Sequence, residues 1–154
     1  MPALRFASTL CLVVLVGGCA VIVPGSRATP CSTARCIVAV TVVGGAPVLT
    51  PDALEIVRVK KAHIIWKLPA DYEFDTSRGD GVQLKGANDG EFSEMFETDD
   101  EGDNPAPARR PAPNFHWRDE NSKANPVPYH YKIQFRKKGT GETYFKDPII
   151  INSG

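Results

Sequence analysis

The chain has 154 residues and balances 18 Lys and Arg against 18 Asp and Glu, so its formal net charge is zero. Without an excess of positive charge, the sequence argues against nucleic-acid binding and against electrostatic attraction to an anionic lipid surface. The length suits one domain with a single core, and the 13 Gly and 13 Pro residues favour strands and turns.

A short apolar stretch near the N-terminus ends in a cysteine. Arg5 supplies a positive charge, residues 6–16 are apolar, and Gly17 and Gly18 are the small residues that a signal peptidase needs before its cut. With Cys19 directly after them, the stretch resembles the lipobox of bacterial lipoproteins, in which an aliphatic residue and two small residues precede a cysteine. The resemblance implies cleavage between Gly18 and Cys19, a diacylglyceryl group on the Cys19 thiol, and acylation of the new amine.

The same resemblance predicts the compartment. It places the chain in the bacterial cell envelope, with residues 1–18 removed as a signal peptide and a lipid holding the rest at the membrane. Ala20, where Asp would favour the inner membrane, favours the outer membrane with the domain facing the periplasm. An ordinary cleaved signal and a retained anchoring helix are the alternatives. The helix is disfavoured because a membrane span needs about 20 apolar residues, and the apolar run stops at Pro24.

Residues 19–35 are predicted to be the lipidated N-terminus and a flexible tether, because segments such as Pro24-Gly25-Ser26 are polar and rich in structure breakers. Cys31 and Cys36 lie near its end. In an oxidising compartment these two cysteines are expected to form a disulfide. A metal-binding thiol pair is the alternative, although the spacing is not Cys-x-x-Cys and no second pair follows.

Residues 36–154 are predicted to form the folded domain. Cys36–Val43 is β-branched and almost continuously apolar, which predicts a strand covered on both faces. In the segment 62–68, Ile64 and Trp66 fall on one face and His63 falls on the other. Further strand-like segments lie at 55–59, 82–84, 92–96 and 115–117.

The clearest alternation lies near the C-terminus. Apolar residues at 129, 131, 133 and 135 alternate with polar ones, as in a half-buried antiparallel strand. A turn at 137–141 leads into a pairing segment at 142–145, and Pro148 interrupts the chain before Ile149–Ile151. No stretch shows sustained helical periodicity, so the sequence predicts an all-β fold, an antiparallel two-sheet β-sandwich.

A long insertion, residues 88–113, interrupts these strands. It holds eight acidic residues and no basic one between Asp89 and Asp103, and the prolines that follow predict an extended loop. The acidic run lacks the alternating order of a calcium-binding EF-hand, and Arg110 falls where that loop needs Glu, so a solvated loop is favoured. A long loop of this kind is a candidate contact surface, and its charged candidates are Asp99, Asp100, Glu101, Asp103, Arg109 and Arg110.

Part of the strand layout is similar to the cupredoxin-like sandwich. The similarity rests on Val57–Val59 leading into Ile64–Trp66, on the strand Tyr129–Phe135 and on the closing segment Asp147–Ile151. It implies a sandwich of cupredoxin-like type, with an immunoglobulin-like sandwich as the other possibility. A blue-copper site needs two His, one Cys and usually a weak axial Met. The segment from Tyr129 onward contains neither Cys nor Met, so the copper site is not carried over.

Three histidines, His63, His116 and His130, remain as candidate ligands of a different metal site. No nucleophile elbow or phosphate-cradling glycine loop is found, and His116 beside Asp119 and Glu120 is the one acid–base combination. The sequence therefore predicts no enzyme and no cofactor. It favours a non-catalytic interaction module that binds an envelope protein, and the alternative is a periplasmic protein that binds copper or another metal.

Overall fold

The computed structural model describes residues 28–99 and 110–154. Strands account for nearly all of the regular structure in these residues, with one short 3₁₀ turn at Thr76–Arg78. In chain order the strands are β1 (Thr29–Cys31), β2 (Arg35–Val43), β3 (Ala46–Thr50), β4 (Ala53–Val57), β5 (Ala62–Lys67), β6 (Tyr72–Glu73), β7 (Gly81–Leu84), β8 (Phe92–Thr98), β9 (Asn114–Asp119), β10 (Val127–Lys137), β11 (Thr143–Lys146) and β12 (Ile149–Ser153).

The strands form two sheets that pack face to face, so the predicted β-sandwich is confirmed. The five-stranded sheet has the order β3-β2-β5-β9-β8, and the seven-stranded sheet has the order β1-β4-β12-β10-β11, with β6 and β7 also paired to β10. Both sheets are mixed rather than wholly antiparallel, because β2 pairs in parallel with β5 and β4 pairs in parallel with β1 and β12.

Aromatic side chains fill the centre of the core between the sheets. Trp66 of β5 and Trp117 of β9 are fully buried, and their ring centroids lie 5.1 Å apart. Tyr131 of β10 packs against both indoles, and its hydroxyl oxygen accepts a hydrogen bond of 3.0 Å from Nε1 of Trp66. These contacts fix how the strands of one sheet lie over those of the other, because each inward side chain is closely packed.

The predicted disulfide is present between Cys31 and Cys36, whose Cα atoms are 6.0 Å apart. The bond joins β1 of the seven-stranded sheet to β2 of the five-stranded sheet. A surface pocket of about 260 Å³ lies beside it, lined by residues that include Arg35, Pro51 and Leu54.

Two predicted boundaries change. The sandwich begins at Thr29, inside the range 19–35 that the sequence assigned to the tether, because β1 pairs with β4. The insertion 88–113 also contains β8, which pairs with β9, so its first part belongs to the five-stranded sheet.

Candidate functional site

The outer face of the five-stranded sheet carries an uncharged surface at one edge. On β2 and β3, the residues that point away from the core are all exposed, and apart from Arg35 at the start of β2 they are uncharged. We call these uncharged residues the β2–β3 strip: Ile37, Ala39, Thr41, Val43, Ala46, Val48 and Thr50. Its aliphatic members are well exposed, with 38 % of Ile37, 64 % of Val43 and 39 % of Val48 accessible. Large apolar side chains in such a continuous, uncharged group are characteristic of interaction surfaces.

The strip corrects one prediction. The apolar run of β2 predicts a strand covered on both faces, but only the inward residues Cys36, Val38 and Val40 are buried in the core. The inward set faces the seven-stranded sheet, whereas the outward set is exposed to solvent. The sequence of β2 thus has the apolar character of a doubly covered strand, with one of its faces left open.

Two of the three predicted histidines meet on the same outer face. Residues on β5 and β9 alternate across an antiparallel pair, which places His63 and His116 diagonally next to each other. The Nδ1 atom of His63 lies 2.8 Å from Nε2 of His116, and Nδ1 of His116 lies 3.1 Å from the carbonyl oxygen of Glu94. A carbonyl accepts only, so the proton of His116 belongs on Nδ1, and Nε2 then accepts from His63.

The surroundings of His116 hold its ring in place. Its side chain is fully buried, and Phe96 stacks on it at a centroid distance of 4.6 Å. Beside the pair, Arg118 forms an ion pair of 2.6 Å with Glu94. A histidine whose Nδ1 donates to a backbone carbonyl has Nε2 as its ligand atom, so Nε2 of His116, which accepts from His63, is also the atom that would bind a metal.

The third histidine lies elsewhere. His130 is exposed on β10 of the seven-stranded sheet, where it pairs with Ile149. Within residues 28–99 and 110–154, no three His, Cys, Asp or Glu side chains are grouped to hold a metal ion. Cys31 and Cys36 are joined to each other. The residues therefore do not fit a blue-copper centre, which needs a thiolate with two imidazoles.

The loop candidates are described only in part. Arg110 donates a hydrogen bond of 2.6 Å to Asp99, and this ion pair joins two parts of the insertion 88–113. Asp100, Glu101, Asp103 and Arg109 lie outside the described residues, as do Cys19 and the predicted signal peptide. Across the described ranges, no helix is long and apolar enough to span a membrane.

A second polar group, which the sequence analysis missed, closes one end of the core. We call it the inter-sheet cluster, and it consists of Glu91, Asp119, Asn121, Ser122 and Asn152. Asn152 of β12 donates from Nδ2 to Asp119 Oδ1 at 2.8 Å and to Glu91 Oε2 at 3.2 Å. Since Asp119 ends β9 and Asn152 lies on β12, the cluster joins the two sheets.

The cluster also separates Asp119 from His116, with which the sequence had combined it and Glu120 as a candidate acid–base group. His116 points to the outer face of β9, whereas Asp119 points into the core with Phe115 and Trp117. The two side chains therefore lie on opposite sides of the same strand and form no pair.

The pKa values of the two carboxyls of the cluster are shifted in opposite directions. Burial raises the pKa of Asp119 to about 7, against hydrogen bonds from Asn121 and Asn152 that favour the charged form. Burial also acts to raise the pKa of Glu91, but hydrogen bonds from Ser122 and Asn152 and the charge of Lys123 outweigh it, so that this pKa is lowered. Glu91 is therefore the ionised member, and Asp119 gains a proton near neutral pH.

Comparison with known protein families and with curated proteins found no match for this chain. The class that the structure defines is an all-β sandwich with mixed sheets, and its function must be inferred from its surfaces and polar groups.

Proposed function

We propose that the chain is a non-catalytic binding module, anchored by a lipid on Cys19 in the bacterial envelope and facing the periplasm from the outer membrane. Its β2–β3 strip contacts an envelope protein. The exposed apolar face of β2 carries this proposal, because a strand with apolar residues on both sides is typical of strands that are covered on both sides.

The partner that fits the strip is a protein with an extended apolar segment. β3 is the outer strand of the five-stranded sheet, and its five residues include no charged side chain. Charged residues commonly protect such edges against pairing. An extended segment that pairs with β3 would lengthen the sheet, and its side chains would cover Val43 and Val48.

The lipid anchor would assist binding through the β2–β3 strip. A tether of nine residues, 20–28, between Cys19 and β1 would hold the domain within a short distance of the membrane. Binding partners in the same membrane are then met at a high effective concentration, so a modest affinity is sufficient. Two or more acyl chains would make the attachment stable, whereas one chain alone is marginal.

Two readouts test the proposal in bacteria that express the full chain. The Cys19→Ser variant is expected to lose its acyl mass and to move from the membrane to the soluble fraction.

A photoreactive residue at Val48 is expected to cross-link one discrete envelope protein, and Val43→Lys should abolish that adduct. The control places the same photoreactive residue at Thr143, an exposed position on β11 of the other sheet. Equal adducts from both positions, or none from Val48, would contradict the binding surface.

A second candidate function, metal handling, is favoured by the histidine pair. His63 Nδ1 and His116 Nε2 lie 2.8 Å apart, so a metal ion could replace the proton between them, and imidazole nitrogens are common ligands of copper and zinc. On this hypothesis, titration with Cu²⁺ or Zn²⁺ gives saturable binding that His63→Ala removes and His130→Ala retains. Binding that is absent, or that is equally strong in both variants, excludes the pair as a metal site.

A further inference from the structure

We propose that the inter-sheet cluster is a binding site for a hard divalent cation such as Ca²⁺. Its ligands would be the side-chain oxygens of Asp119, Asn121, Asn152 and Glu91. The inference is independent of the binding surface proposed above, because these residues lie at the end of the core and not on the β2–β3 strip.

Three buried oxygen atoms of the cluster have no hydrogen-bond partner: Asp119 Oδ2, Asn121 Oδ1 and Asn152 Oδ1. All three side chains belong to residues with no accessible surface. Each atom is an acceptor when Asp119 is ionised, so the three cannot satisfy one another. Buried polar groups nearly always have a hydrogen-bond partner, and a group of unpaired acceptors calls for a bound cation or hydrogen-bond donor.

The hydrogen bonds already present hold the three side chains that carry these atoms in one network. Asp119 Oδ1 accepts from the backbone N–H of Asn121 at 2.9 Å and from Asn152 Nδ2 at 2.8 Å. The unpaired oxygen of Asp119 belongs to that same carboxylate, and the unpaired oxygen of Asn152 belongs to the amide that bonds to it. Asn121 Nδ2 donates to the carbonyl oxygens of Ile56 and Val59, at 3.3 and 3.0 Å, which fixes the amide from its other end.

The charges of the cluster are also unbalanced. Glu91 and Asp119 are both buried, with 1 % and 0 % of their surface accessible. Among the described ion pairs, Lys123 brings one positive charge, at 3.6 Å from Glu91 Oε1. The partners found for Asp119 are a backbone amide and a side-chain amide, both neutral. An unpaired buried carboxylate is costly, and a divalent cation would neutralise it.

The chemistry of the ligands selects the class of cation. Ca²⁺ takes six to eight oxygens from carboxylates, from Asn and backbone carbonyls and from water, and the cluster offers carboxylate and amide oxygens without nitrogen or sulfur ligands. A water molecule would satisfy acceptors but would add no charge. A proton would neutralise Asp119 but would reach at most one neighbouring acceptor. The cation is the species that does both.

The test uses the full-length protein, purified in detergent and treated with EDTA. Addition of 1 mM CaCl₂ is expected to raise the melting temperature, EDTA should reverse the rise, and calorimetry should give a saturable heat of binding. Asp119→Asn keeps the size and the two accepted hydrogen bonds of Asp119, so it should fold, and it should weaken Ca²⁺ binding at least tenfold. Asp147→Asn, which alters a surface ion pair with Lys85, is the matched control and should respond as the unchanged protein does.

Three results would overturn the proposal. The first two are a melting temperature that CaCl₂ leaves unchanged and the absence of a heat of binding. The third is an equal response of Asp119→Asn and the unchanged protein, which would indicate an adventitious ion only. His63→Ala is expected to leave the response to Ca²⁺ intact, so a failure of metal binding at the histidine pair is distinguishable from a failure here.

Discussion

At pH 8 and in the presence of EDTA, the Asp119→Asn variant is expected to be more stable than the unchanged protein by about 4 kcal/mol. The pKa of Asp119 is raised by burial from 3.8 to about 7, and each pKa unit corresponds to about 1.4 kcal/mol. Above pH 7 the folded protein must hold this carboxylate in its charged form, and within residues 28–99 and 110–154 no ion pair with a cation is found for it. Asparagine keeps the acceptor oxygen for Asn121 and Asn152 and removes the charge.

The pH dependence has a defined sign. Below pH 3.8, Asp119 is protonated in both the folded and the unfolded chain, and its ionisation costs nothing. As the pH rises from about 4 to about 7, the unfolded chain releases the proton and the folded chain retains it, so stability falls. The stability difference between Asp119→Asn and the unchanged protein should therefore grow over this range and stay constant above it.

Urea unfolding of both proteins between pH 4 and pH 9 measures this difference. Asp147→Asn serves as the control, because Asp147 is about half exposed in its ion pair with Lys85, and surface pairs contribute about 0–1 kcal/mol. A difference for Asp119→Asn that does not change with pH would show that Asp119 is ionised throughout and that the inferred pKa is wrong.

The Trp66→Ala variant is expected to lose about 3 to 5 kcal/mol of stability, which is typical of large aromatic residues removed from a core. Trp66 has no accessible surface, and its ring contacts Trp117 and Tyr131 with centroids 5.1 and 5.3 Å away. Its removal leaves a cavity at the centre of the sandwich and deprives the Tyr131 hydroxyl of its donor. Chemical denaturation at neutral pH measures the loss.

A milder pair of changes separates packing from hydrogen bonding. Trp66→Phe and Tyr131→Phe each leave one polar group buried without its partner, at a cost of about 1 to 3 kcal/mol. The double variant leaves neither group, so its loss should be smaller than the sum of the two single losses. Strictly additive losses would mean that the hydrogen bond contributes nothing to stability.

Much of the fold could be predicted from sequence because alternation along a strand is a local property. The position of β10 follows from side chains that alternate between core and solvent, and the outward direction of His63 and His130 follows from the alternation of side chains along a strand. On β5 and β9 the outward Ile65 and His116 are buried as well. The neighbours of a strand depend on distant residues. Nothing in the sequence of β5 predicts that β2 lies parallel to one side of it and β9 antiparallel to the other.

The inter-sheet cluster was missed for a related reason. Asp119-Glu120-Asn121-Ser122 has the composition of a solvated loop, and it becomes a buried group only when Asn152 approaches from the opposite sheet. A signal was nevertheless available. Asp119 continues the inward series of Phe115 and Trp117, and Asn152 continues that of Ile150. A polar residue at an inward position of the alternation therefore marks a buried network.

The place of β12 in the seven-stranded sheet has a consequence for the order of folding. β12 is the last strand of the chain, yet it lies between β4 and β10 and joins them. The ribosome must release residues up to Ser153 before these two strands can be connected and Asn152 can reach Asp119. During synthesis the domain therefore lacks its finished core.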